Sequence, residues 1–328
     1  MKHRVLLLRF SLATAIVASV GTSGHAQSGS SQCDPATEKV GWVEHNGNEN
    51  VVHCVCKDDG VERDAQGVCV VPLGVAKRPW KELLNWLPPE AWLNSQRQAR
   101  NRDPVPFRVQ RIEDAIGNKV NFDLYGITIS RLPTFAHNDP NFFLQFVRKN
   151  LNIFLAASAG QMRGLSQGDD ADWQGRDAAP IGAVMIWKIP GWNIPGTTWI
   201  HEEAAVVTSR SSPTTWTFTP VHIGVCCPGD HPISGNREFG IQPIGNGSYR
   251  VYTRAVDRAL RPTDYFDAKL APSEDIVFNG ADKLWRSFQS NLAEYVNQRG
   301  GSAAVDKPII NRHSLNAVEA SGLFERPH

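Results

Sequence analysis

Two long segments of the chain carry apolar residues at helical spacing. In segment 137–157, Asp139 and Pro140 suit the N-cap and the first turn of a helix. In segment 280–300, the pair Gly300-Gly301 closes the pattern. We predict one long amphipathic helix in each segment. The apolar positions are Phe143, Phe146, Val147, Leu151 and Phe154 in the first, and Leu284, Trp285, Phe288, Leu292, Tyr295 and Val296 in the second.

Most of the remaining pattern after residue 104 alternates between apolar and polar positions, which is typical of strands. Segments 107–114 and 119–133 alternate on either side of a turn at 115–118, and 181–192, 197–210 and 214–225 are rich in β-branched and aromatic residues. Segment 237–256 predicts a hairpin with Asn246-Gly247 at its turn. The fold class we predict is α+β, a largely antiparallel sheet covered by the two long helices.

The order of these elements resembles the helix-grip lipid-binding folds, in which a curved sheet is followed by one long C-terminal helix. Element order alone implies no function. Segment 73–103 has apolar residues at helical spacing, interrupted by Pro88-Pro89, and we interpret it as a helical connector. The predicted organisation is a leader at 1–27, a small cysteine-rich β module at 28–72, the connector, a main α+β domain at 104–300 and a tail at 301–328.

The first 27 residues have the composition of a secretory signal peptide. Lys2, Arg4 and Arg9 accompany an apolar run that gives way to small residues ending at Ala26. The run is shorter than the roughly 20 residues that span a bilayer, so we predict cleavage rather than a transmembrane anchor. The mature protein is then exported, either periplasmic or secreted. Without the leader, 31 basic residues face 33 acidic ones, and such a balance does not favour nucleic acid.

The six cysteines all follow the predicted leader, and an even number in an oxidising compartment favours disulfides. Cys33, Cys54, Cys56 and Cys69 fall within the predicted β module, where we expect two bridges. The stretch CVCKDDGVERDAQGVC at 54–69 resembles the last part of an epidermal-growth-factor-like module, but the upstream cysteines of that module are missing. The four cysteines are poorly spaced for a zinc site, so no metal site is predicted there.

Segment 225–240, VCCPGDHPISGNREFG, concentrates reactive side chains ahead of the hairpin. His231 is a candidate acid or base, and Arg237 and Glu238 are candidates to act with it in one cleft. Cys226 and Cys227 have three outcomes: a bridge to each other, bridges elsewhere, or a reactive thiol beside His231. The competing interpretation is that this stretch is a pinned turn without catalytic function.

The strand that follows offers a candidate binding row. A period of two places Arg250, Tyr252 and Arg254 on one face, and guanidinium groups bind carboxylates and phosphates. This pattern predicts a site for an anionic small molecule, with Arg237 and Arg254 acting together. The alternative is that the row is the solvated side of a sheet.

Several function classes lose their usual signatures. The chain has no Walker loop or dinucleotide fingerprint, and His201-Glu202-Glu203 lacks the second histidine of a metalloprotease motif. We therefore expect no cofactor. The preferred hypothesis is an exported binding or interaction protein of the bacterial-type envelope or the extracellular space, with an anionic molecule, a glycan or an envelope component as partner. The alternative is a secreted hydrolase or toxin-like enzyme with its site in residues 231–258, and a purely structural envelope component is a third.

Overall fold

The structure is a computed structural model that describes residues 38–46, 49–56, 62–63, 69–70, 77–155, 161–175, 180–189, 202–223, 231–260, 274–320 and 322–325. The chain divides into two compact units between Val55 and Cys56. Strands β1 (Glu38–Asn46) and β2 (Glu49–Cys56) form a two-stranded sheet. Strands β3 (Glu62–Arg63) and β4 (Cys69–Val70) form another.

The predictions for the leader and the disulfides lie outside the described residues. This holds for residues 1–27, for Cys33, Cys226 and Cys227, and for the side chains of Cys54, Cys56 and Cys69. They stay predictions, and so does the export that follows from the leader.

An antiparallel sheet organises the second unit. Among its described residues ten strands pair in the order β13-β6-β12-β11-β10-β9-β8-β7, with β14 also along β6 and β5 along β10. The strands are β5 (Phe107–Val109), β6 (Lys119–Arg131), β7 (Met162–Gly164), β8 (Val184–Ile189), β9 (Glu202–Ser211), β10 (Thr215–Ile223), β11 (Ile233–Gly245), β12 (Ser248–Ala259), β13 (Ser302–Val305) and β14 (Ile309–Ser314).

The helices lie on both faces of this sheet. They are α1 (Lys77–Leu84), α2 (Glu90–Ala99), α3 (Pro140–Lys149), α4 (Leu151–Phe154), α5 (Gln167–Gln174), α6 (Glu274–Gln298) and α7 (Leu315–Ala320), with 3₁₀ turns at Ile112–Asp114 and Thr134–Ala136. We call the face toward α6 the inner face and the face toward α1 and α2 the outer face. None of the described helices combines the length and the apolar composition that crossing a membrane requires.

The main core lies between the inner face and α6. Trp285, Phe288, Leu292 and Val296 follow one another at intervals of three or four residues and are all buried against the sheet. The sequence predicted two long helices, but α3 has 10 residues while α6 has 25. The shorter helix ends at Lys149, and its C-cap Asn150 donates from Nδ2 to the carbonyl of Phe146.

The predicted connector and part of the predicted tail both pack on the sheet. Trp80 and Leu83 of α1 join Val120 and Phe122 in a core on the outer face, and Leu93 of α2 joins a third core there. Residues 302–305 and 309–314, which the sequence analysis assigned to the tail, form β13 and β14 along one edge of β6.

The start of α3 and the turn of the β11–β12 hairpin lie where the sequence pattern predicted them. Asp139 caps α3 by accepting hydrogen bonds from the backbone N–H groups of Asn141 and Phe142. The β11–β12 hairpin turns at Asn246 and Gly247, with φ of 51° and 70°, the left-handed conformation that this dipeptide favours. The strands flanking 115–118 do not pair with each other, because β5 pairs with β10 instead.

Candidate functional site

Three adjacent strands place a polar row on the inner face. Arg237 of β11 is in register with Ala255 of β12, and Ala255 is in register with Asp123 of β6. Alternate strands lie about 10 Å apart, and because Ala255 is small the Arg237 side chain can cross over it. Arg237 Nη2 lies 2.8 Å from Asp123 Oδ2, and Nη1 donates to Thr253 Oγ1 at 3.3 Å.

A second carboxyl group lies beside Asp123. Asn121 Nδ2 donates to Asp123 Oδ2 at 2.8 Å and to Asp257 Oδ1 at 3.2 Å, so one amide nitrogen holds both carboxyl groups. Arg237 Nη2 is 3.7 Å from Asp257 Oδ2. Burial and the charge of Asp123 together raise the pKa of Asp257 to about 7, against the opposing effect of Arg237.

Helix α6 and strand β14 close the row on its other side. Tyr125 donates its hydroxyl to Asp282 Oδ1 of α6 at 2.7 Å. Arg312 of β14 donates to both oxygens of Asp282 at 2.8 and 2.7 Å, and its Nε donates to Asn121 Oδ1. Burial and the charge of Asp123 raise the pKa of Tyr125, so its hydroxyl stays protonated. We call the whole set the interior network: Asn121, Asp123, Tyr125, Arg237, Thr253, Asp257, Asp282 and Arg312.

Aromatic side chains adjoin the interior network. The Arg237 guanidinium lies 4.3 Å from the ring centre of Trp285, a cation–π contact. Phe239 packs edge-on against Trp285 at 5.5 Å and is stacked on Trp216 at 4.7 Å. The inner face therefore passes from a charged row to an apolar aromatic wall within a few residues.

Three polar atoms on the inner face have no hydrogen-bond partner among the described residues: Asp123 Oδ1, Thr208 Oγ1 and Trp216 Nε1. All three residues are 0–1% exposed. Buried polar groups are nearly always paired in native proteins, and a group that is not paired requires a reason. Asp123 is the most demanding of the three because it is a carboxylate whose other oxygen is already bonded to Asn121 and Arg237.

A metal site is not indicated in the parts of the chain that the structure describes, since no three histidine, cysteine or acidic side chains there are grouped to hold an ion.

Most of the residues predicted from sequence lie on the outer face. Glu238 accepts from the Tyr252 hydroxyl at 2.8 Å and from Arg254 Nη2 at 2.6 Å. Arg250 Nε donates to Asp306 at 2.8 Å. The predicted row is thus brought together, but its two guanidiniums already pair with carboxylates of the chain. Arg237 lies on the inner face and is not brought together with Arg254, because Glu238 is the residue in register with Arg254.

The backbone of His231, just before β11, is bound to the side chain of Gln110, just after β5. Its backbone N–H donates to Gln110 Oε1 at 2.8 Å, and Gln110 Nε2 donates to its carbonyl at 3.0 Å. Burial lowers the pKa of the imidazole to about 4, with a smaller contribution in the same direction from the charge of Arg237. The ring is therefore neutral near pH 7, which suits a structural residue better than a general acid.

The outer face also carries a cavity of about 410 Å³, within the usual size range of ligand pockets. Trp86, Gln110, Asn236 and Phe324 are among its lining residues. Asn236 uses its side chain internally, since Nδ2 donates to the carbonyls of Leu83 and Trp86. The amide nitrogen of Asn236 is therefore already engaged within the protein, whereas the inner face has polar atoms without a described partner.

Sequence reasoning missed most of the interior network. A signal was present in β6, where Asn121, Asp123 and Tyr125 continue the same face as the buried Ile127 and Ile129. Polar residues that extend an apolar stripe of a strand indicate buried polar groups rather than a solvated face. No comparable local signal joins β6 to Asp282 or Arg312, which are brought in from α6 and β14.

Comparisons with known proteins give only distant likenesses. No protein-family model matches the chain, and no curated protein matches it significantly. A START superfamily protein from Mycobacterium smegmatis is 10% identical with a TM-score of 0.32, and the match covers 54% of this chain and 98% of that one. A point mutant of Thalictrum norcoclaurine synthase, in complex with a transition-state analogue, is 10% identical with a TM-score of 0.28, covering 52% and 95%.

A human lipid transfer and protein localization domain is 10% identical with a TM-score of 0.26, covering 62% of this chain and 99% of that domain. TM-scores of this size assign neither a fold family nor a ligand.

Proposed function

We propose that the second unit is a small-molecule binding domain whose ligand lies between the inner face of the sheet and α6. The observation that carries this proposal is Asp123 Oδ1, a buried carboxylate oxygen without a partner among the described residues. An unpaired buried polar group costs about 1–3 kcal/mol, and a charged one more. A ligand that donates a hydrogen bond to this oxygen would remove that cost.

The surroundings of Asp123 support an apolar ligand body. Trp216, Phe239 and Trp285 form an aromatic wall on the same face, and small-molecule sites are lined mostly by apolar side chains with a few polar groups that fix orientation. Trp216 Nε1 adds a second unpaired polar atom, here a donor. The ligand we propose is therefore a compact apolar molecule with at least one donor group.

A hydrolase site in residues 231–258 has less support. The pKa of His231 is lowered to about 4 and its backbone is engaged with Gln110. Arg237 and Glu238 lie on opposite faces of the sheet, since they are neighbours in one strand. A binding role uses the observed geometry without requiring these groups to act together.

The test is a thermal-shift screen of apolar alcohols, amines and acids against the wild type and Asp123→Asn. The matched control is Asp275→Asn, the same change at an exposed carboxylate that pairs with Lys119. We expect ligands that stabilise the wild type and the control equally, and that stabilise Asp123→Asn much less. Equal stabilisation of all three proteins would place the ligand elsewhere, and stabilisation of none by any compound would refute the binding role.

We also propose, from the N-terminal sequence alone, that the mature protein acts outside the cytoplasm. The mass of the intact protein from its native fraction tests this. Cleavage near Ala26 agrees with export, and retention of Met1 on a cytoplasmic protein contradicts it.

A further inference from the structure

The interior network carries an excess of negative charge. Three carboxyl groups, on Asp123, Asp257 and Asp282, face two guanidiniums, on Arg237 and Arg312. The remaining members, Asn121, Thr253 and the protonated Tyr125, are neutral. With every carboxyl group ionised, the network therefore has a net charge of −1, and an uncompensated charge is costly in a buried site.

We propose that the ligand of the inner face is a cation, an ammonium or amidinium group on an apolar body, and that this group binds at Asp123 Oδ1 beside Asp257. The inference rests on the proposed binding function and names the chemistry of its ligand. A single positive charge donated at this point would balance the network. An anion would add to the excess, so this inference departs from the anionic ligand that the sequence suggested.

The geometry favours Asp123 and Asp257 over Asp282 as the carboxyl groups that bind the cation. Both oxygens of Asp282 accept from Arg312, and one also accepts from Tyr125. Asp123 has one oxygen without a described partner, and Asp257 has its nearest guanidinium nitrogen at 3.7 Å. An ammonium has three donors and no acceptor, so it suits an unpaired carboxylate oxygen beside a second carboxyl group better than a hydroxyl does.

Without a cation, the excess charge is relieved by a proton. The pKa of Asp257 is raised to about 7 by burial and by Asp123, against the opposing effects of Arg237, Asn121 and Arg312. His231, which precedes β11, adds no charge near pH 7, since its pKa is about 4. From α6, Asp282 is already paired with Arg312.

Cation binding should therefore displace the Asp257 proton. The carboxylic acid loses its proton to the solvent as the ammonium enters, and the network stays neutral. A neutral alcohol would bind without that exchange. The two ligand classes consequently differ in how their affinities depend on pH.

The experiment is isothermal titration of the wild type with matched amine and alcohol pairs, from benzylamine and benzyl alcohol to tryptamine and tryptophol. Indole-3-acetate serves as the anionic member. We expect the amine of at least one pair to bind about tenfold more tightly than its alcohol, and the anion to bind most weakly. Titration at pH about 6 in two buffers of different ionisation enthalpy should show release of close to one proton per amine bound. The amine affinity should rise between pH about 6 and pH about 8.

The variant Asp257→Asn mimics the protonated carboxyl and should abolish both the proton release and the pH dependence. Asp275→Asn should behave as the wild type. If alcohols bind as tightly as amines, or if amines bind without proton release, the cation inference is wrong while the binding function stands. If no amine or alcohol binds, the binding function itself fails, and the cation inference fails with it.

Discussion

The ion pair between Arg237 and Asp123 offers a direct measure of how strongly the interior network is coupled. Replacing Arg237 by Met keeps most of the apolar stem but removes the 2.8 Å contact with Asp123, the bond to Thr253 and the stacking on Trp285. Asp123 is then left buried without its cation. Breaking a buried ion pair from one side costs about 3–5 kcal/mol, and we expect Arg237→Met to lie in that range.

The double variant Arg237→Met/Asp123→Asn separates charge from packing. Because the amide carries no charge, the second substitution should recover about 1–3 kcal/mol of the loss caused by the first. Urea unfolding followed by tryptophan fluorescence gives the free energy of unfolding of the wild type, both single variants and the double variant. The control is Arg78→Met, which removes an exposed pair with Glu82 and should leave the midpoint unchanged.

Two results would refute this reasoning. If Arg237→Met is no more destabilising than Arg78→Met, the network is open to water and its charges are screened. If the losses of the two single variants simply add in the double variant, Arg237 and Asp123 are not coupled, and the charge count used for the ligand has no basis.

Three further predictions follow from single positions. Because the folded pKa of Asp257 is raised from 3.8 to about 7, the stability from its protonated form is full below pH about 4 and is lost as the pH rises through about 7. Asp257→Asn should remove that decline in thermal melts, and an unchanged pH profile would contradict the assignment. Gly235→Ala should cost about 1–3 kcal/mol more than Gly245→Ala, since a Cβ at Gly235 would clash with the backbone carbonyl of Val256 while Gly245 has open space. Equal denaturation midpoints would argue against that crowding. Asp139→Ala should cost about 1 kcal/mol and Asp139→Asn almost nothing, and an Asp139→Ala variant as stable as the wild type would show that the cap contributes nothing.

The elements were predictable because their causes are local. Asp139 and Pro140 begin α3, and Asn246 and Gly247 turn the hairpin, through conformational preferences of the residues themselves. Which strands pair with each other was harder to predict from the sequence. Strand β5 pairs with β10 rather than with its neighbour β6, and nothing in residues 107–131 identifies a partner about 100 residues later.

One irregularity explains why the predicted pairing of Arg237 with Arg254 is not observed. A regular two-residue turn at 246–247 would place Arg237 in register with Val256, on the same face as Arg254. The register shifts by one residue between Pro243 and Gly245, so Arg237 is in register with Ala255 and lies on the opposite face. A bulge of one residue thus moves Arg237 from a partly solvated row to the buried network.

The edge of β6 has a consequence for the order in which this domain can assemble. One edge pairs with β12 along most of its length, while the other is covered in two halves by β13 and β14. Because β6 precedes β13 and β14 in the chain, it is synthesised long before either of them. Its second backbone edge therefore stays unpaired while more than half of the domain is synthesised. Arg312 of β14 is synthesised after every other member of the interior network and completes the contacts of Asp282 and Asn121. The interior network is thus a product of late chain closure, and a truncated or stalled chain would expose both an unpaired strand and an unneutralised cluster of carboxylates.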